Sequence, residues 1–313
     1  MAKNPNKFWL EIERLSNKTE AQINKELEIL FKDSLEDLSY SIGTFMAEHP
    51  QMSYAQMMQV TRMQSMYKQI DDKLTTLTDG VKDLTYKADL KELEYGYFGE
   101  WYNIENQAQM QFSFGFVDEN KIKKLIEFPV NGIPLSERLY KDYLPTAQKQ
   151  IKSVLEEGLI QGYDNRKMAR RLSEVMQGTS YKKAKTIIRT ESGRINSLAR
   201  MEAQDIAASM GIQIQKKWIS TLDRKTRVSH QHLDGQIVGK DEMFTSRSGA
   251  QALQPRTFGV PAEDINCRCG CTSIVNGYES TLRRDKETKQ LVEGNYMEWL
   301  KKNHKDEYEK LYG

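Results

Sequence analysis

Apolar residues in the first part of the chain recur at steps of three and four residues, the spacing of one face of an α-helix. The first such stripe runs from Ile23 to Phe45 and follows the tetrapeptide TEAQ, which is typical of a helix-starting capping box. This pattern predicts one long amphipathic helix from about Thr19 to Glu48. Pro50 would end it, because proline lacks the amide hydrogen that a helix interior needs.

Two further helices are predicted before residue 110. The tetrapeptide SYAQ at residues 53–56 has the form of a second capping box and predicts a helix that ends near Gly80, since glycine is favoured just past a helix C-terminus. A third helical stretch is predicted from about Val81 to Gln109. Between Gln111 and Pro134 the periodicity weakens, and FVDEN and FPVNGIP are typical of turns.

Helical periodicity resumes after this weak stretch. Cap residues and apolar spacing predict four helices, at Ser136–Leu144, Pro145–Glu157, Asn165–Met176 capped by Asp164, and Tyr181–Ser209 capped by Ser180. The helical part therefore extends over about two thirds of the chain.

The period changes from 3.6 to 2 after Gly211, where apolar and polar residues alternate from Ile212 to Trp218. This predicts a strand that enters a small β-containing unit ending near Gly277, followed by a helix from Tyr296 to about Leu311. The predicted fold class is α+β, with a mostly helical N-terminal part and a C-terminal domain of helices and a small β-sheet. The predicted segments are a helical region 1–135, a domain 136–277 and a charged tail 278–313.

The composition is that of a polar globular protein. Hydrophobic residues make up 38% of the chain, charged residues make up 29%, and the mean hydropathy is -0.70. No apolar run approaches the roughly 20 residues of a membrane-spanning helix, and the start MAKNPNKFWLEIERL lacks the apolar core of a signal peptide. We therefore expect a protein of the cytoplasm with no membrane partner.

Charge is unevenly distributed, although the chain as a whole carries only +2. From Lys182 to Arg227 there are eleven basic and four acidic side chains, a net charge of +7. Such a segment is compatible with a polyanion partner such as double-stranded DNA, and equally with a solvated helix face. The candidate DNA-binding residues are Lys182, Lys183, Lys185, Arg194, Arg200, Lys216, Lys217, Arg224 and Lys225.

Candidate chemistry concentrates in two stretches, KWISTLDRKTRVSHQHLDG at residues 217–235 and INCRCGC at residues 265–271. Together they hold all three cysteines and two of the four histidines. Asp223 is predicted to cap a short helix that Gly235 terminates. Four side chains would share one face of this helix: Arg227, His230, Gln231 and Asp234.

Glu191 falls on the apolar stripe of the helix predicted at residues 181–209. An ionised carboxylate that faces a core costs several kcal/mol unless a cation pairs with it. A partner in the β-unit would lock the helix to that unit, whereas a slightly rotated helix would leave Glu191 in water. The candidate cations are Arg224 and Arg227 of the β-unit and Arg194 of the same helix.

The cysteines allow three interpretations. In an extended segment Cys267, Cys269 and Cys271 point to one face and act as small core residues. Alternatively, Cys267 and Cys269 bind zinc together with His230 or His232. The third interpretation is a catalytic thiolate with His230 as its base.

Three blocks occur in a fixed order: IIRTESGRINSLAR at residues 187–200, a Trp, Asp, Arg, His and Asp-Gly series at 218–235, and a proline-led segment that closes on INCRC at 265–269. Over roughly residues 144–274 this order and spacing resemble the phage head morphogenesis proteins, the Mu F-like minor head or minor capsid proteins of tailed bacteriophages. Cys271 lies outside the family pattern. The signature residues are Arg189, Glu191, Trp218, Asp223, Arg227, His230, Asp234, Gly235, Asn266, Cys267, Arg268 and Cys269.

The resemblance implies a low-copy virion protein that is made in the host cytoplasm and incorporated beside the portal, in the capsid interior, during procapsid assembly. The implied partners are the portal protein and the scaffold or major capsid protein, and packaged DNA is a further candidate. The resemblance implies no enzymatic activity, no catalytic residue and no cofactor, and the candidate structural zinc is expected only from the spacing of the cysteines and histidines. The signature residues are accordingly expected to be structural.

Two alternatives to a non-enzymatic head protein remain. A small nuclease-like or metal-dependent hydrolytic domain could be built from His230, Arg227, Asp223 and Glu191, since it would combine an acid-base group with cations for a phosphoryl transition state. The second alternative is a domain that is stabilised by zinc and has no reaction of its own.

Overall fold

The computed structural model describes residues 5–48, 61–112, 124–126, 133–275 and 282–312. The predicted capping box at residues 53–56, most of the predicted turn region 111–134 and the predicted end of the β-unit near Gly277 lie outside these ranges. The helices are α1 (Pro5–Glu48), α2 (Thr61–Ala108), α3 (Leu135–Glu137), α4 (Leu144–Ile160), α5 (Asn165–Val175), α6 (Tyr181–Ser209), α7 (Val228–Gln231), α8 (Pro261–Asp264), α9 (Tyr296–Asn303) and α10 (Lys305–Tyr312).

Seven short strands follow or interleave with the later helices in the described part of the chain. They are β1 (Ile214–Ile219), β2 (Ile237–Gly239), β3 (Phe244–Thr245), β4 (Gln251–Ala252), β5 (Gly270–Val275), β6 (Leu282–Arg284) and β7 (Leu291–Glu293). An antiparallel sheet has the order β2, β1, β5, and β3–β4 and β6–β7 each form a two-stranded pair. The α+β fold class is thereby confirmed.

The first two helices are longer than their capping signals predict. Thr19 lies inside α1, and its hydroxyl is 3.1 Å from the hydroxyl of Tyr95 instead of capping a helix. Gly80 lies inside α2 and does not end it. A Cβ atom at Gly80 would lie only 2.8 Å from a methyl group of Leu30. This glycine therefore allows α2 to pack closely against α1 and does not end a helix.

The two later caps have opposite outcomes. Asp164 caps α5 as predicted, and its carboxylate accepts a hydrogen bond from the amide of Lys167 at 2.7 Å. Ser180 does not cap α6, because the π-helical segment Met176–Ser180 carries the helical backbone from α5 directly into α6. A second π-helical segment, Arg138–Tyr143, joins α3 to α4 in the same way.

The described residues form two compact units. The helical unit comprises residues 20–48, 61–88 and 133–188, and the mixed unit comprises residues 5–19, 89–112, 124–126, 189–275 and 282–312. Each unit draws segments from both sides of the boundary predicted near residue 135, and α1, α2 and α6 each contribute to both. The predicted domain boundaries at residues 135 and 277 stay a prediction.

The core of the helical unit is apolar. Side chains from α1, α2 and α4 to α6 bury their helical stripes in one cluster, which includes Leu27, Phe31, Ile42, Ile70, Leu77, Ile151, Leu155 and Leu172. The stripe predicted from Ile23 to Phe45 is buried there as expected. No helix in the described ranges has an apolar stretch long enough to cross a bilayer.

The mixed unit has two small apolar clusters. The first surrounds Trp218 and includes Phe244, Phe258 and all three cysteines. The second contains Leu222, Tyr296, Trp299 and Leu300, so residues of the predicted tail pack into the core of this unit. The predicted tail helix is two helices, since His304 leaves helical geometry between α9 and α10.

Polar side chains of α2 cover the outer edge of strand β5. The amide group of Gln107 donates to the carbonyl of Ser273 at 2.9 Å and accepts from the amide of Val275 at 2.7 Å. Glu100, which is fully buried, accepts hydrogen bonds from Arg200 at 2.7 Å and Gln204 at 3.1 Å. The two bonds of Gln107 satisfy backbone groups at an edge that would otherwise be unpaired.

Candidate functional site

The loop after β1 is held together by Asp234. One of its carboxylate oxygens accepts from the amide of Ser220 and the other from the amide of Tyr296, both at 2.6 Å. Gly235 follows with a φ of 80°, a left-handed conformation that glycine adopts without strain, and its amide donates to the carbonyl of Trp218 at 2.9 Å. This pair therefore closes the turn back onto β1 and ends the helical segment, as predicted for Gly235.

Asp223 does not cap the short helix. Helix α7 begins only at Val228, and its N-cap residue Arg227 makes no side-chain capping bond. Asp223 instead pairs with Arg268 through two hydrogen bonds, one of them 2.8 Å long, and also accepts from the amide of Lys225 at 2.9 Å. Burial alone would raise the pKa of Asp223, but the bonds and charge of Arg268 outweigh it and lower that pKa.

Arg227 and His230 point at the same segment, as the shared helix face predicted. The guanidinium of Arg227 donates to the carbonyls of Glu263 and Ile265, and the first of these bonds is 3.2 Å long. The Nε2 atom of His230 lies 2.9 Å from a carboxylate oxygen of Glu263. The turn after β1 is thereby tied to α8 and to the residues that lead into INCRC.

Glu191 pairs with Arg194 of its own helix, at 3.1 Å, and not with Arg227 or Arg224. The buried carboxylate is thus matched within α6, and other contacts connect α6 to the β-structure. The hydroxyl of Thr190 accepts from the amide of Asn266 at 3.1 Å, and Arg189 donates to the side chain of Asn266 at 3.4 Å. Asn266 has a φ of 60°, which asparagine tolerates better than most residues.

His230, Cys267 and Cys269 form a buried cluster. The Nδ1 atom of His230 is 3.5 Å from Sγ of Cys267 and 3.4 Å from Sγ of Cys269. One ligand atom from each residue lies within 4.8 Å of the others. The three side chains are between 1% and 3% exposed, so the cluster is sealed from solvent.

The surroundings of the cluster orient it. The His230 ring stacks on Phe258 with ring centroids 5.7 Å apart and meets the edge of Trp218 at 5.6 Å. On its other side, the Glu263 carboxylate also accepts from Ser229 at 2.9 Å and from Ser248 at 2.6 Å. Glu263 was not predicted from the sequence, because nothing in the spacing of α8 indicates contact with a helix thirty residues earlier.

The thiols of the cluster differ in their pKa values. A hydrogen bond with Cys269 and the neighbouring His230 lower the pKa of Cys267 well below its usual value, whereas burial raises the pKa of Cys269. Cys271 is equally buried but lies outside the cluster, and burial raises its pKa to about 12. All three cysteines are therefore buried, as the shared face predicted, but only Cys267 and Cys269 lie beside His230.

His232 does not join the predicted zinc ligands. Its Nε2 atom contacts the guanidinium of Arg247, and its ring lies 5.3 Å from that of Tyr312. The alternation in His-x-His explains this, since residues two apart on a helical turn point to different sides. Among the described residues, the group that could hold a metal ion is therefore His230, Cys267 and Cys269, without His232.

Three of the predicted DNA-binding residues are buried and bonded within the mixed unit. Arg194 pairs with Glu191, Arg200 pairs with Glu100, and Lys216 donates to the carbonyls of Glu242 and Leu253 at 3.0 and 2.9 Å. They cannot contact a phosphate in this conformation, so the prediction is corrected for them. The exposed or half-exposed members of the set are Lys182, Lys183, Lys185, Lys217, Arg224 and Lys225.

The residues proposed for hydrolytic chemistry do not share a solvent-accessible surface. His230 is 1% exposed and Glu191 is fully buried. Arg227 is bonded to backbone carbonyls, and Asp223 is paired with Arg268. A phosphodiester in solution could not reach these groups together, so the arrangement favours a structural role for the signature.

Comparison with known proteins gives one family and several relatives. Residues 149–272 match the family model described as Phage Mu protein F like protein. The minor head protein GP7 of Bacillus phage SPP1 is 25% identical over 93% of this chain and 96% of its own length. No solved structure is matched.

A second relative carries an enzyme name. The protein named NAD(+)–arginine ADP-ribosyltransferase EFV of Enterococcus faecalis is 34% identical over 94% of this chain. The chain spans only 60% of the length of that protein. An uncharacterized protein of Haemophilus influenzae is 23% identical over 58% of the chain and 36% of its own length.

Proposed function

Because the chain belongs to the phage head morphogenesis family, we propose that it is a minor head protein that joins the portal during procapsid assembly and resides in the capsid interior. The observation that carries this proposal is the match to the minor head protein GP7 along nearly its whole length. A match confined to residues 149–272 would support a shared domain, whereas a match over 93% of this chain and 96% of GP7 supports a shared role.

We assign the contact with the portal to the helical N-terminal region. Helix α1 displays large apolar side chains to solvent, since Ile29 is 50% exposed and Tyr40 is 77% exposed. The two residues are eleven positions apart, about three helical turns, and so lie on the same face. Aromatic side chains such as Tyr40 are enriched at protein-binding interfaces.

Co-purification of the full chain with its cognate portal protein tests this proposal. We expect the double variant Ile29→Asp, Tyr40→Asp to reduce the recovered complex at least tenfold. Ile160→Asp is the matched control, because Ile160 is 61% exposed but lies outside the N-terminal region. A complex that forms equally with the double variant would overturn the assignment, and failure of the unmodified chain to bind would overturn the portal proposal.

Deletion of the N-terminal region is a poor test of the same question. Glu100, Asn103 and Gln107 of α2 are bonded to residues of α6 and β5 in the mixed unit. Removal of residues 1–110 would break those hydrogen bonds and take a packed helix out of the mixed unit. Loss of binding by the truncated chain would then report unfolding rather than a lost interface.

Contact with packaged DNA is the finer part of the proposal. It rests on the exposed basic residues of the mixed unit, among them Arg224 and Lys225. Binding through phosphates should weaken steeply with salt and show little sequence preference. Lys225→Ala should reduce the salt dependence by about one counterion, whereas Lys216→Ala should not affect it directly; an unchanged slope in both would remove the DNA contact from the proposal.

We propose that the chain has no enzymatic activity. The transferase name belongs to a relative that extends well beyond the region this chain matches. The purified chain should therefore leave NAD+ intact in the presence of an arginine-containing acceptor. Consumption of NAD+ with transfer to the acceptor would contradict the proposal, as would cleavage of DNA or RNA that the variant His230→Ala abolishes.

A further inference from the structure

We propose that His230, Cys267 and Cys269 bind one zinc ion in the interior of the mixed unit, as a structural site that fixes the two signature stretches to each other. The imidazole comes from the helical turn after β1, and the two thiols come from the segment that enters β5. The metal would therefore join two parts of the chain separated by more than thirty residues.

The distances between the three ligand atoms fit one zinc ion bound by all of them. A zinc ion binds nitrogen at about 2.0–2.1 Å and sulfur at about 2.3 Å, so ligand atoms around it lie some 3.5–4 Å apart. In the structure Nδ1 of His230 is 3.4 Å from one sulfur and 3.5 Å from the other. These separations lie at the short end of that range, so a small outward shift of each sulfur would complete the geometry.

The imidazole is presented in the form that a metal requires. Glu263 lies 2.9 Å from Nε2 and favours the tautomer with its proton on that atom, which leaves the lone pair of Nδ1 directed at the two sulfurs. Ligating histidines commonly donate their second N–H to a carboxylate in this way. Ser229 and Ser248 donate hydrogen bonds to Glu263 and fix its carboxylate, which in turn orients the His230 ring.

The donor set selects a soft cation. Two thiolates and one imidazole suit zinc far better than calcium or magnesium, which prefer oxygen ligands. Two thiolates also balance the charge of a divalent ion, so binding would leave no net charge in the sealed interior. Zinc in structural sites has four ligands, and the fourth here would come from outside the three-residue cluster.

Simple apolar packing accounts poorly for this arrangement. Small core residues could fill the space, and Cys271 shows how a core cysteine looks elsewhere in the unit: it is buried, outside the cluster, and paired across the sheet with Trp218. A core made only of such residues gains nothing from a buried histidine with a carboxylate behind it. A buried ionisable pair often stabilises a fold no more than apolar residues of the same volume would, so packing alone does not explain its presence here.

Metal analysis of the full-length chain tests the proposal. Protein purified without a metal-affinity tag should contain close to one zinc per chain, and after chelation it should bind one cobalt ion with the absorption of a tetrahedral site that has thiolate ligands. A chelator should lower the melting temperature, and added zinc should restore it. A chain that holds well below half an equivalent of zinc and shows no thiolate–cobalt absorption would overturn the proposal.

Matched variants assign the ligands. Cys269→Ser and His230→Gln should weaken zinc binding at least tenfold, whereas Cys271→Ser and His232→Gln should retain it, because those residues lie outside the cluster although they are only two positions away. Glu263→Gln should weaken binding about tenfold to a hundredfold through the histidine. Equal zinc content in Cys269→Ser and Cys271→Ser would overturn the ligand assignment. If a ligand variant fails to fold, the cobalt spectrum and chelator response of the unmodified chain decide the question.

Discussion

The helical unit and the mixed unit have interiors of different kinds. The helical unit is filled by aliphatic side chains such as Leu27, Ile151 and Leu155, and no charged side chain is buried among its described residues. The mixed unit buries ion pairs, a network of amides around Glu100 and the cluster of His230 with two cysteines. An apolar core tolerates many sequences of similar volume, whereas a polar interior depends on particular pairs.

The tryptophans allow the two interiors to be followed separately. Trp101, Trp218 and Trp299 are buried in the mixed unit, and the segments of the helical unit contain no tryptophan. Tryptophan fluorescence therefore reports unfolding of the mixed unit. Far-UV circular dichroism, which is dominated by helix, also reports unfolding of the helical unit.

The largest effect is expected where a buried charge loses its partner. Glu100→Ala should lower the free energy of unfolding of the mixed unit by about 3–5 kcal/mol, because Arg200 would remain buried without its carboxylate. Urea unfolding followed by tryptophan fluorescence measures this change. Glu94→Ala on the same helix is the control, since its ion pair with Lys91 is exposed and should contribute less than about 1 kcal/mol. Similar urea midpoints for the two variants would show that the hydrogen-bond network around Glu100 contributes little to the stability of the mixed unit.

A comparable but more graded effect is expected in the apolar interior. Leu27→Ala should destabilise the helical unit by about 2–5 kcal/mol, since Leu27 is fully buried and its loss leaves a cavity. Circular dichroism should detect this change, with a smaller effect on tryptophan fluorescence. Ile29→Ala, half exposed on the same helix, should change the stability by about 0.5 kcal/mol or less. Loss of both signals together at the lower midpoint would mean that the two interiors unfold as one.

Two glycines, Gly96 in the mixed unit and Gly178 in the helical unit, are expected to respond to substitution in opposite directions. A Cβ atom at Gly96 of α2 would lie 2.5 Å from the carbonyl oxygen of Asn196 and 2.9 Å from Cβ of Ala199, so Gly96→Ala should cost about 1–3 kcal/mol despite the better helix propensity of alanine. Gly178 in the helical unit has open space around it, and Gly178→Ala should stabilise by about 0.4–1 kcal/mol. Thermal denaturation of both variants tests the contrast, which opposite signs would support and equal signs would refute.

An effect of similar size concerns pH. The pKa of Asp223 in the folded chain is held below its ordinary value of 3.8, so the stabilisation by its pair with Arg268 is present above that value and is lost as the pH falls below it. Asp223→Asn should lose about 1–2 kcal/mol near pH 7 and should depend less on pH in acid. An acid-unfolding profile of the variant that parallels the unmodified chain would contradict this account.

The sequence predicted the regular elements well because their signals are local. The apolar stripe of α1, the cap at Asp164, the bounds of α6 and the strand β1 all follow from spacing within a few residues. The failures at Thr19 and Ser180 also have a local cause. A capping box can occur inside a longer helix, and a π-helical turn can carry the backbone past a capping residue.

The polar interior could not be predicted in the same way. Glu100 and Gln107 meet residues of β5 more than 160 positions away, and Glu263 meets His230 across two loops. No spacing rule connects such pairs. Lys216 was predicted to bind DNA from its charge, although it shares the alternation of Ile214 and Trp218, which is a local signal of burial.

The central claim is that this chain is a structural component of a phage head. The protein content of procapsids assembled from this chain with its cognate portal, scaffold and major capsid proteins tests that claim most directly. Quantitative mass spectrometry of purified particles should find the chain in low copy relative to the major capsid protein, and its amount should fall when the portal is omitted. Particles that contain the portal but lack this chain, which then remains in the unassembled fraction, would contradict the account.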